Sequence, residues 1–95
     1  MPQFITRIEL HGARSEDYTR LHAAMESRGF SREIVAENRT TYILPTAEYN
    51  RTGDSLTVQD VYDDAWRGAS SVFNRFAVLV VQAAGPIMWY GLDMA

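Results

Sequence analysis

Hydrophobic and polar residues alternate strictly near the start of the chain, over residues 4–10. This alternation predicts a β-strand with one buried face and one open face. The side that we expect in the core carries Phe4, Thr6, Ile8 and Leu10. The opposite side carries Ile5, Arg7, Glu9 and His11.

A helical pattern follows this strand. Apolar residues recur there at spacings of three and four, which places them on one side of a helix: Tyr18, Leu21 and Met25. Ser15 is the expected N-cap. We expect the helix to stop at Gly29, because glycine readily adopts the left-handed conformation, with Phe30 folding back onto the last turn.

Residues 31–37 predict a weaker strand that carries Ile34 and Val35, and residues 40–44, which are rich in β-branched and aromatic types, predict a second one. Together they predict an antiparallel hairpin. Residues 46–55 are rich in turn-forming types and predict a loop. In this loop Tyr49, Asn50 and Arg51 offer a ring, an amide and a guanidinium, which are groups that bind single-stranded RNA. A plain connection between two elements is the alternative interpretation.

The second helix has the clearest start signal in the chain. Thr57 is the expected N-cap, Asp60 completes a capping box, and Leu56 and Val61 are spaced to form a hydrophobic staple. The pattern predicts a buried stripe made of Val58, Val61, Tyr62, Ala65, Ala69, Val72 and Phe73.

The last long strand is predicted over residues 76–82, and both of its faces are apolar over residues 76–81. A sheet with one solvated face should alternate with polar residues here, so we expect something to cover this strand. The candidates are the segment 87–92, folding over its own domain as a short extra strand, and a second copy of the chain. We favour a homodimer, because a small domain gains much from a shared core.

The resulting order, βαββαβ with a short C-terminal extra strand, predicts an α+β fold. Right-handed crossovers then place both helices on one face of an antiparallel sheet, which gives a ferredoxin-like sandwich. The length of 95 residues fits one domain spanning residues 1–95.

Composition narrows the classes of function. The chain has no cysteine, which excludes disulfides and cysteine nucleophiles and agrees with a cytoplasmic location. Its basic residues are nine arginines, its net charge is −3, and neither half is basic, so no DNA-specific signal is present. The longest apolar stretch is too short to cross a bilayer, and membrane insertion is not expected.

Few residues carry recognisable chemistry. His11 and His22 have no metal-binding spacing, and the acidic residues Asp60, Asp63 and Asp64 are explained by capping and solvation of a helix, so we expect neither a metal site nor a cofactor. Arg7 is the most notable residue, because an arginine on the open side of a strand needs a carboxylate, a phosphate or solvent. Glu9, beside it on the same side, is the alternative partner to phosphate.

Three segments resemble a family of small bacterial and phage proteins: TRIELHGA at residues 6–13, YTRLHAAMESRGF at 18–30 and TYILPTAEYN at 41–50. The terminal WYGL resembles it too. This family is similar to the GhoS antitoxins of type V toxin–antitoxin systems, endoribonucleases on a ferredoxin-like fold related to dimeric CRISPR-associated nucleases. In those nucleases an acidic residue at the end of the first strand helps to hold a metal, whereas residues 8–11 here contain no aspartate.

The resemblance implies an antitoxin-type endoribonuclease or RNA-binding protein that acts on single-stranded RNA. For cleavage without a metal, the candidate catalytic residues are Arg7, His11 and Arg14, which lie on or near the first strand. The alternative is a non-catalytic dimeric protein-interaction module that binds through its apolar strand and its C-terminal segment. A small-ligand enzyme fits the fold but has no supporting motif.

Overall fold

A computed structural model describes all residues from 1 to 95. The elements follow the order β1 (Gln3–Leu10), α1 (Ser15–Glu26), β2 (Glu33–Val35), β3 (Thr41–Ile43), β4 (Glu48–Thr52), α2 (Val58–Ser70) and β5 (Phe76–Gln82). The chain is therefore an α+β protein with two helices and five strands in two antiparallel sheets. Neither helix has the length and apolar character needed to cross a bilayer.

The main sheet has the order β4-β1-β5, with β1 at its centre. One side of β1 is fully enclosed, as its alternation predicts: Phe4, Thr6, Ile8 and Leu10 are all buried. Both neighbours run antiparallel to β1, and their registers place Arg7 opposite Glu48 on one side and Leu79 on the other. The other side of β1 belongs to an open sheet face that carries Arg7 and Glu9, both exposed.

The prediction of a loop over residues 46–55 is wrong, because β4 occupies the five residues from Glu48 to Thr52. Its composition suits a turn, but the hydrogen-bonding edge of β1 that β5 leaves free requires a partner, and this segment supplies one. Ala47 begins the pairing with a positive φ of 67°, and its carbonyl accepts a hydrogen bond of 3.0 Å from the backbone N–H of Ile8.

The predicted hairpin is present but shorter than expected, with β2 and β3 paired over three residues each and Arg39 in the turn with φ of 69°. It forms the second, two-stranded sheet. Ser31, just before β2, makes an isolated bridge to Asn50, with hydrogen bonds of 2.9 and 2.7 Å between their backbones. This bridge joins the hairpin to β4.

Helix α1 begins close to its predicted start. Ser15 is its first residue rather than its cap; the cap position belongs to Arg14, whose backbone N–H donates to Asp17 at 2.9 Å. The predicted end is confirmed, since Gly29 has φ of 91° and the N–H of Phe30 donates back to the carbonyl of Met25 at 3.1 Å.

Helix α2 confirms the predicted capping box of Thr57 and Asp60. The hydrogen bonds from the Thr57 backbone and side chain lower the pKa of Asp60. The predicted buried stripe is wrong at two positions, because Val58 and Tyr62 are exposed. The buried residues of this helix are Val61, Ala65, Gly68 and Ala69.

The C-terminal segment forms no regular strand, contrary to the expectation for residues 87–92. It returns to β3 instead: the ring of Trp89 packs edge-on against Tyr42 with centroids 5.5 Å apart, and Met94 makes an isolated bridge to Tyr42. The carbonyl of Asp93 accepts a hydrogen bond of 2.9 Å from the N–H of Ile43. This segment therefore extends the hairpin sheet and does not pair with β5.

Candidate functional site

The three candidate catalytic residues lie on or just after β1 but do not form a cluster. Arg7 and His11 have exposed side chains on the open side of the chain, and Arg14 lies past the turn at Gly12. No hydrogen bond or ion pair connects any two of the three. His11 Nδ1 lies 3.6 Å from a carboxylate oxygen of Glu9, so this ion pair exists when the histidine is protonated.

Arg7 has no carboxylate within ion-pair distance, and the expected internal pair with Glu9 is absent. Its neighbour across the sheet is Glu48, which the sequence alone does not indicate because residues 46–55 have the composition of a loop. An open groove of about 350 Å³ is lined by Arg7, Glu9, Tyr18 and Leu79, among others. Its lining therefore includes one basic and one acidic side chain.

The candidate RNA-binding residues are distributed over both faces of β4. Tyr49 is fully buried, and its hydroxyl lies 2.7 Å from Nδ1 of His22 on α1. Asn50 lies on the opposite side of the strand and accepts a hydrogen bond of 2.9 Å from the Gln3 side chain. Three consecutive strand residues cannot present their side chains on one face, because successive side chains alternate.

Arg51, on the same side as Tyr49, is held within the protein. Its guanidinium donates to Asp64 of α2 at 2.8 Å and lies over the ring of Phe30, 5.0 Å from the ring centroid. Only 15% of its side chain is exposed. Arg51 therefore joins α2 to the end of α1, and its charge is already paired.

The protonation states of His22 and Tyr49 are consistent with a hydrogen bond between them. Burial lowers the pKa of His22, nearby Arg32 lowers it further, and Glu26 partly opposes the change. Burial also raises the pKa of Tyr49 well above its usual value. Both rings are therefore neutral near pH 7, and the phenol O–H can donate to Nδ1 of His22. This pairing was not evident in the sequence, because the two residues are 27 positions apart.

Exposed apolar side chains lie along the β5 edge of the sheet, on both of its faces. We call them the edge surface and define it by three side chains of α2 on the helical face and two of β5 on the open face: Val58, Tyr62, Trp66, Leu79 and Val81. Their exposed fractions are 45, 42, 48, 60 and 49%. Large apolar residues exposed along one edge are typical of an interaction site.

The α2 side of the edge surface follows the strand closely. Val58 and Tyr62 line one shallow depression together with Val80, and Trp66 packs edge-on against Phe76 with centroids 5.9 Å apart. The helix therefore runs beside the outer edge of β5 along most of the strand. The sequence shows the spacing of four residues between Val58, Tyr62 and Trp66. Only the packing of α2 on the sheet shows that these three side chains are exposed.

The outer edge of β5 has unpaired backbone groups. The backbone N–H of His11 donates to the carbonyl of Arg75, and that of Ala83 donates to the carbonyl of Gln3, both at 2.9 Å. These two hydrogen bonds show which residues of β5 direct their backbone groups towards β1. The backbone groups of Ala77, Leu79 and Val81 therefore face β1. The backbone N–H and C=O groups of the remaining β5 residues face outward, where no strand pairs with them. These residues are Phe76, Val78, Val80 and Gln82.

No group of three or more histidine, aspartate or glutamate side chains is arranged to hold a metal ion. No protein-family model matches the chain, and no curated protein matches it.

Proposed function

We propose that this chain is a non-catalytic protein-interaction module that acts as a homodimer and associates through its edge surface. The observation that carries the proposal is the coincidence of exposed apolar side chains with a free strand edge. An unprotected apolar edge favours pairing with another chain. β5 contains no proline and no charged residue, which are the residues that usually prevent such pairing. The C-terminal segment, which could have covered β5, is bound to β3.

The same proposal includes a ferredoxin-like arrangement. Strands β5, β1 and β4 are neighbours, and the bridge from Ser31 to Asn50 brings the segment before β2 alongside β4. These neighbours support a ferredoxin-like order, in which the segment that leads into β2 would be the fourth strand, next to β4. Both long edges of such a sheet are open to pairing unless another segment covers them.

Sedimentation equilibrium at a few tens of micromolar tests the dimer, since an interface of standard size holds at that concentration. The wild-type chain should sediment as a dimer. Tyr62→Glu should weaken association by at least about tenfold, because it places an unpaired carboxylate in the apolar contact. The matched control is Tyr90→Glu, which makes the same change at a fully exposed tyrosine away from the edge surface.

A wild-type chain that remains monomeric over this range would overturn the proposed dimer. Equal dimer constants for Tyr62→Glu and Tyr90→Glu would place the interface elsewhere. Circular dichroism melting of each variant shows whether the fold is retained.

A second candidate function is binding or cleavage of single-stranded RNA, as expected of an antitoxin-type endoribonuclease. The observation that favours it is the exposed Arg7, which has no internal carboxylate partner and lies on the same side of β1 as His11. An arginine in this state suits a phosphate, and a histidine nearby can transfer a proton. The acidic neighbours Glu9 and Glu48 and the net charge of −3 weaken this candidate.

Fluorescence anisotropy with mixed single-stranded RNA oligomers at two salt concentrations tests the RNA hypothesis. Arg7→Ala should reduce affinity for all sequences and lower the salt slope by about one phosphate contact. The control is Arg39→Ala, an exposed arginine in the β2–β3 turn. Absence of binding at low salt would remove this candidate and leave the interaction module.

A further inference from the structure

We propose that the homodimer forms by antiparallel pairing of β5 with β5 of a second copy, in the register that places Leu79 opposite Leu79. This inference rests on the proposed dimer and specifies how its two subunits meet. It predicts one continuous six-stranded sheet, in which each subunit contributes the order β4-β1-β5 from the outside to the centre.

The free backbone groups of β5 fix the choice of register. The outward-facing residues are Phe76, Val78, Val80 and Gln82, so a two-fold axis through Leu79 pairs Val78 with Val80 and Phe76 with Gln82 of the other copy. All four then lie in hydrogen-bonded pairs. An axis through Val78 would pair Val78 with Val78 and Phe76 with Val80, and would leave Gln82 without a partner.

The side chains on the open face agree with the Leu79 register. Leu79 becomes a non-hydrogen-bonded pair, in which side chains approach most closely, and meets its own copy. Ala77 meets Val81, and Val81 meets Ala77, so a small side chain lies opposite a larger one in both flanking pairs. These residues are exposed in the single chain and would be covered in the dimer.

Helix α2 shares the same midpoint. Trp66 lies against Phe76, whereas Val58 and Tyr62 lie beside Val80, so α2 runs antiparallel to β5 and Tyr62 is level with the centre of the strand. A two-fold axis through Leu79 therefore brings Tyr62 near its own copy and Val58 towards Trp66 of the other subunit. Two separate elements of the edge surface are self-complementary about one axis.

The absence of native cysteine makes disulfide trapping a direct test. In the proposed register the two Leu79 Cα atoms are about 4.5 Å apart, which lies within the range that a disulfide spans. Leu79→Cys should therefore form a covalent dimer under mild oxidation. Val81→Cys should not react with itself, because its two Cα atoms are about 13 Å apart along the paired strands.

A mixing experiment fixes the register. Chains carrying Ala77→Cys and chains carrying Val81→Cys should each remain monomeric on a non-reducing gel when oxidised alone. Mixed before oxidation, they should give a disulfide that contains one chain of each kind, because the two positions lie opposite each other. Mass spectrometry of the tryptic peptides identifies the linked pair.

Ile5→Cys serves as the reporter for the competing arrangement, in which two open sheet faces pack against each other. Ile5 lies on the central strand opposite Val81. When the edges pair, its two copies are three strand spacings apart across the sheet and four residues apart along it, about 20 Å in all. A dimer by sedimentation that gives the Ile5→Cys disulfide and no Leu79→Cys disulfide would overturn the edge pairing but leave the proposed dimer intact. A chain that sediments as a monomer would overturn both.

Discussion

The hydroxyl of Tyr49 lies 2.7 Å from Nδ1 of His22, so a strand residue and a helix residue share a polar contact beneath the sheet. Their rings also approach edge-to-face, with centroids 5.8 Å apart. Tyr49 is fully buried, and Phe30 packs against its ring as well. This contact fixes β4 to α1 and gives a first test of the fold.

Tyr49→Phe should reduce the free energy of unfolding by roughly 0.5 to 1.5 kcal/mol, the usual net value of one hydrogen bond. The ring remains and the cavity is unchanged, so the loss reports the polar contact alone. Denaturant melts measure it, with Tyr90→Phe, at a fully exposed position, as the control that should show no change. Equal midpoints for the two variants would contradict the contact.

The pH dependence of stability should depend on His22. Because its pKa is lower in the folded chain than the usual 6.5, the unfolded chain binds a proton more readily. Stability is therefore complete above about pH 7 and is lost as the pH falls below the unfolded value of 6.5 towards the folded pKa. Below the pKa of His22 in the folded chain, the loss of stability does not increase further.

Melting temperatures between pH 8 and pH 5 measure this effect. His22→Gln should flatten the profile in this window, whereas His11→Gln, at the exposed end of β1, should leave the decline in place. A profile that flattens only in the His11→Gln variant would contradict the assignment of the pH dependence to His22.

Arg51→Lys should destabilise the fold by about 1 to 3 kcal/mol, even though the charge is kept. A lysine loses both the directed hydrogen bond to Asp64 and the planar contact with the ring of Phe30. Arg20→Lys is the control, because Arg20 pairs with Asp17 at an exposed site and exposed pairs contribute little. Chemical denaturation of both variants gives the comparison.

Thr6→Val should stabilise the protein by about 1 kcal/mol. The Thr6 side-chain oxygen is buried in the core face of β1 and has no hydrogen-bond partner. Valine has nearly the same shape, removes the cost of burying a hydroxyl and favours a strand. Thr52→Val, near the exposed end of β4, is the control for strand preference alone. A lower melting temperature for Thr6→Val would show that the hydroxyl is satisfied.

The sequence by itself determined the elements whose signals are local. Strict alternation defined β1 and its buried face, and the capping box of Thr57 and Asp60 placed the start of α2 within one residue. The left-handed glycine at position 29 ended the first helical segment as expected, because this conformation suits glycine and is costly for other residues. The apolar character of β5 on both faces also predicted a strand that needs a cover, and the C-terminal segment does not supply one, because it pairs with β3.

Only the tertiary structure decided the role of residues 48–52. Their composition is that of a turn, and they form a strand because β1 has an unpaired edge that needs hydrogen bonds. That pairing sends Tyr49 and Arg51 towards the helices and Asn50 to the opposite side, which disperses the candidate RNA-binding residues. Helix periodicity likewise placed Tyr62 in an apolar stripe, but the position of α2 against β5 decided that its ring is exposed. Local patterns fix which faces are apolar, whereas long-range packing fixes which of those faces find a partner within the chain.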